Sequence, residues 1–111
     1  MSKVTNLIVT SSISENVDNL KSAFLKFLVN GRPFDLVSIE NENAPQGWYG
    51  GSKFIEANIF IGAYNELNLE ELIHFMRNDI SWESPELVQL IFKKQNKFKF
   101  EVIDLFPELP V

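Results

Sequence analysis

The chain has 111 residues, 45% of them hydrophobic and 23% charged, and ten Lys plus Arg against fifteen Asp plus Glu give a net −5. This is the length and make-up of one globular domain, residues 1–111, not of a disordered chain. With no cysteine and one histidine, His74, a disulfide scaffold, a thiol nucleophile, a Cys-ligated metal site and a multi-His site within one chain are excluded, and the pI near 4.8 disfavours a broad basic face for nucleic acid.

Residues Val4–Thr10, rich in Leu, Ile, Val and Thr, predict a strand. Ser14 is placed as an N-cap for a helix from about Glu15 to Val29, whose Val17, Leu20, Phe24, Phe27 and Leu28 recur at three and four residues. Asn30-Gly31 reads as its stop, with Pro33 just beyond. Asp35–Asn41 alternates as a short strand. Asn41–Ser52 holds Pro45, Gly47, Gly50 and Gly51 around Trp48-Tyr49 and reads as a loop.

Lys53–Tyr64 carries the clearest alternation in the chain. Ile55, Ala57, Ile59, Ile61 and Ala63 fall on one face, and Glu56, Asn58, Phe60, Gly62 and Tyr64 on the other. Counting apolar residues predicts that the helices pack on the Ile55–Ala63 face. Asn68 with Glu71 has capping-box spacing and opens a second helix, buried through Leu69, Leu72, Ile73 and Met76, that ends near Asp79. Leu87–Lys94 and Phe98–Leu105 read as a final hairpin about a Gln95-Asn96-Lys97 turn. The order implies an α+β fold: a ferredoxin-like βαββαβ sandwich with an additional C-terminal strand, an antiparallel sheet and two helices on one face.

The first residues lack the basic segment and apolar core of a secretory signal. Runs such as Ile59–Tyr64 are far shorter than the ~20 apolar residues of a membrane helix, so the expectation is a cytoplasmic protein without a membrane partner.

No catalytic or metal-ligating set stands out. His74 falls away from the helix's apolar stripe, beside Glu70 and Arg77, as a surface residue does. The carboxylates lack DxDxDG spacing, and Gln46–Ser52 matches no phosphate-binding loop. The expectation is no enzyme and no cofactor. Trp48 and Tyr49 read as exposed binding anchors, the alternative being that Trp48 folds back to cap the core. The most informative feature is charge layout. Residues 35–91 hold two basic and ten acidic groups, including Glu40, Glu42, Glu66, Glu70, Glu83 and Glu86. Sharing a surface, these acids would attract a basic partner; the alternative is scatter over several sides for solubility.

Gly62-Ala63-Tyr64-Asn65-Glu66-Leu67, together with Trp82-Glu83-Ser84-Pro85-Glu86-Leu87-Val88-Gln89-Leu90, resembles small immunity proteins of bacterial polymorphic and contact-dependent growth-inhibition toxin systems. The likeness covers about 30 residues and carries no catalytic signature. It implies a non-enzymatic protein that binds and neutralises a cognate toxin C-terminal domain, a basic nuclease fitting the acidic charge. The residues expected to touch it are Glu40, Glu42, Trp48, Tyr49, Glu66, Glu70, Glu83 and Glu86. A small ligand-binding or regulatory domain is the alternative, and the edge strand Phe98–Leu105 offers a route to a homodimer.

Overall fold

The computed structural model describes residues 3–12, 14–38 and 58–106. Strands β1 (Val4–Ser11), β4 (Val37–Ser38), β5 (Asn58–Asn65), β6 (Gln89–Lys94) and β7 (Glu101–Asp104) form an antiparallel sheet in the order β4-β5-β1-β6-β7. Helix α1 (Val17–Phe24) follows β1, and α2 (Leu69–Asn78) follows β5. The fold is α+β, with β1 in the middle of the sheet.

Register decides which side of the sheet is inside. Thr5, Leu7, Val9 and Ser11 of β1 lie opposite Tyr64, Gly62, Phe60 and Asn58 of β5, while Leu7 and Val9 also oppose Phe92 and Leu90 of β6. Leu7, Val9, Phe60, Leu90 and Phe92 are buried, and the buried residues of both helices, Leu20, Phe24, Leu72, Phe75 and Met76, belong to the same core cluster. The expectation for β5 is therefore reversed. The helices lie over Phe60, Gly62 and Tyr64, and the face with more apolar residues, Ile59, Ile61 and Ala63, points away from them.

Volume and satisfied polar groups explain this reversal better than a count of apolar residues does. Phe60 brings a whole ring and packs edge-on against Phe24 with centroids 5.7 Å apart. Gly62 leaves the room that Leu36 fills: a Cβ there would lie 2.6 Å from Leu36 Cδ2. Buried Asn58 donates its amide to the carbonyls of Ser12 (3.1 Å) and Glu15 (3.0 Å), which offsets the cost of burying it. The Tyr64 hydroxyl donates to the Asp35 carbonyl at 2.8 Å and accepts from the Asp35 N–H.

Helix α1 is shorter than the periodicity predicts. Its N-cap is Asn16, whose side chain accepts from Asn19 N–H at 2.9 Å, and it ends at Phe24, not Val29. The reason is the Asn30-Gly31 pair. With φ of 53° and 79°, these residues turn a small hairpin between β2 (Leu28–Val29) and β3 (Arg32–Pro33). Asn-Gly at left-handed angles is a strong hairpin signal, and here it prevails over the helix-stop reading. Helix α2 follows expectation: the Asn68 side chain accepts from Glu71 N–H at 3.1 Å, and the helix runs to Asn78. The final hairpin also forms, but β7 starts at Glu101, so Phe98–Phe100 precede the strand.

Candidate functional site

The face of the sheet opposite the helices carries an ordered apolar row. Val37 lies opposite Ile61, Ile61 opposite Ile8, Ile8 opposite Ile91 and Ile91 opposite Val102. One β-branched residue from each of five adjacent strands thus forms a continuous row. At ~4.8 Å per strand spacing the row is about 19 Å long. Val37, Ile61 and Val102 are 52%, 46% and 58% exposed, and Ile8 and Ile91 are partly exposed. The flanking rows are mostly uncharged: Ile59, Thr10 and Gln89 on one side and Ala63 and Asn6 on the other, with Asp104 and Lys93 as the charged groups of those rows. Apolar at the centre and polar at the rim, this arrangement suits contact with another macromolecule.

Four of the expected contact residues, Glu40, Glu42, Trp48 and Tyr49, lie outside the described residues. The other four are not brought together. Glu66 sits in the turn after β5 at φ 56° and donates its N–H to the carbonyl of Lys3, beside the start of β1. Exposed Glu70 follows on the first turn of α2. Glu83 and Glu86 stand near the other end of β1, because Glu83 N–H is bonded to Glu15 just beyond Ser11. The eight-residue β1, about 23 Å from end to end, runs between the two pairs. These four residues are two separate acidic points.

Glu15 is the polar residue that sequence reasoning missed. Only 6% exposed, its carboxylate accepts from Glu83 N–H at 3.0 and 2.9 Å and from Ser84 N–H at 3.0 Å. Placing it in the first turn of α1 hid this role; it precedes the Asn16 cap and reaches across to the 81–85 loop. Trp82, in the stretch that carries the resemblance, holds the same loop. Its indole N–H donates to the Met76 carbonyl at 2.8 Å, and its ring packs edge-on against Phe24. Both contacts are structural.

His74 is exposed, and its neighbour Asn78 donates to its carbonyl at 2.8 Å. Among the described residues no group of three His, Asp or Glu side chains could hold a metal ion, and no helix is long and apolar enough to cross a membrane. A cleft of about 800 Å³ opens at one end of the sheet between Lys3, Val4, Glu66, Asn68, Lys94 and Gln95. Comparison with family models, curated proteins and solved structures finds no match to this chain.

Proposed function

We propose that this chain is a non-enzymatic binding protein, an immunity protein that neutralises a cognate toxin domain by seating it on the open face of the sheet. The observation that carries this reading is the Val37–Ile61–Ile8–Ile91–Val102 row, an apolar strip presented by paired strands whose backbone is already ordered. A surface of that kind costs little to immobilise on binding. The net −5 adds long-range attraction for a basic partner, which raises the rate of capture and falls with salt. Catalysis has no part in this reading.

We also read the fold as ferredoxin-like. Strands β1, β4, β5 and β6 with α1 and α2 supply the six βαββαβ elements, β7 is the additional strand, and the β2–β3 hairpin is an insertion. The strand order β4-β5-β1-β6-β7 supports this. The protein works in the cytoplasm, where a producing cell would need protection.

The test is co-purification of the tagged protein from its own host at low and at high salt. A basic toxin domain recovered at one-to-one stoichiometry, with recovery falling as salt rises, is the expected result. Recovery of the protein alone, together with a host metabolite that raises its melting temperature, overturns the reading in favour of a small ligand-binding domain using the cleft between Lys3 and Lys94.

A further inference from the structure

The β6–β7 hairpin differs from the rest of the molecule. Residues 93–100 read Lys-Lys-Gln-Asn-Lys-Phe-Lys-Phe: four lysines, two phenylalanines and no acid. The remaining chain then has six basic and fifteen acidic groups, a net −9. Phe98 is 97% exposed and Phe100 47%. The turn itself is fixed, because Lys97 N–H donates to the Lys94 carbonyl at 2.9 Å and Lys93 Nζ donates to the Lys97 carbonyl at 3.1 Å.

We propose that this hairpin docks on an anionic phospholipid surface, with Phe98 as an apolar wedge and Lys94, Lys97 and Lys99 on the headgroup phosphates. Nearly complete exposure of a phenylalanine in water is unfavourable, and an interface that takes up the ring recovers that energy. Lysine stems lie along the apolar layer while their ammonium groups stay with the headgroups. A cluster of this charge is attracted to anionic lipid at short range, within a Debye length of about 8 Å. Glu66 shares the cleft at the end of the sheet with Lys94 and Gln95 and offsets part of this attraction, whereas acids farther away than that length are screened. Glu101, at the start of β7 opposite Phe92, is the closest acid in sequence and follows the basic tip without interrupting it.

Lipid fits better than single-stranded nucleic acid. Sheet-based stacking platforms carry their aromatic rings on the strands themselves. Phe98 lies before β7 begins and is almost wholly exposed, so nothing backs its ring. A bilayer interface needs no such support. The proposal does not rest on the toxin-binding reading: it uses the hairpin tip, not the centre of the open face. That no helix among the described residues is long and apolar enough to cross a membrane has no bearing on docking at a surface.

The experiment is co-sedimentation of the full-length protein with vesicles of phosphatidylcholine alone and of phosphatidylcholine with phosphatidylglycerol, at low and high salt. Binding to the phosphatidylglycerol vesicles only, lost at high salt, is expected. Phe98→Ala should weaken it more than about ten-fold. Lys97→Gln with Lys99→Gln should weaken it about five-fold per lysine. Both variants should keep the wild-type urea midpoint, since these side chains are exposed. Equal binding to neutral vesicles, no binding to either, or unaltered binding of Phe98→Ala would overturn the proposal. Tighter binding to oligothymidylate with the same Phe98 dependence would replace it with a nucleic-acid surface.

Discussion

The two faces of β5 carry neighbouring residues of one strand to opposite fates. Phe60 is wholly buried against Phe24, while Ile61, the next residue, is 46% exposed in a row that crosses five strands. Both are large and apolar, so hydrophobicity alone does not separate inside from outside. What separates them is what each face can close over. The inner face has a glycine that admits Leu36, an asparagine whose amide is satisfied, and a tyrosine bonded to Asp35. The outer face carries the β-branched row Val37, Ile61, Ile8, Ile91 and Val102, all at least partly exposed.

The comparison can be broken by substitutions on either side, followed by urea denaturation. Phe60→Ala should cost about 3–5 kcal/mol, through lost burial and the cavity left beside Val9 and Phe24. A loss under 1 kcal/mol would mean that the inner face has been misassigned. Glu15→Ala should cost about 2 kcal/mol, because the N–H groups of Glu83 and Ser84 lose a charged acceptor. Its signature is local: amide exchange should quicken first in residues 81–85. Asn68→Ala should remove roughly 1 kcal/mol by uncapping α2. Smallest of all, Ile61→Thr keeps the β-branched shape on the outer face and should shift stability by less than about 0.5 kcal/mol. A large loss there would show that the row supports the fold itself.

Much of this arrangement was legible from local signals. The Asn68 cap, the α2 stripe through Leu72 and Met76, strand β1 and the Gln95–Lys97 turn all depend on neighbours within a few residues. Two local signals had competing meanings. Asn30-Gly31 both stops helices and turns hairpins, and only the pairing of Leu28 with Pro33 decides between them. The alternation in β5 establishes that there are two faces without saying which is buried, because Leu36 reaches Gly62 from a distant part of the chain. Long-range features were not legible at all. Glu15 meets residues 68 and 69 positions away. The open row exists only once all five strands are in register, and the separation of Glu66 and Glu70 from Glu83 and Glu86 follows from the course of β1. Phe98 was readable as a hairpin residue, but not as one that stands clear of the strand.

The measurement that bears most directly on the open face as the docking surface pairs two doubly substituted proteins of equal charge. Ile61→Lys with Val102→Lys places lysines in the apolar row, whereas Asn19→Lys with Ser22→Lys places them on exposed positions of α1. Each is tagged, checked for a wild-type urea midpoint, and used to capture the toxin domain from the host. The first should lose the one-to-one partner and the second should keep it. Capture by both at wild-type stoichiometry would contradict the assignment of the open face.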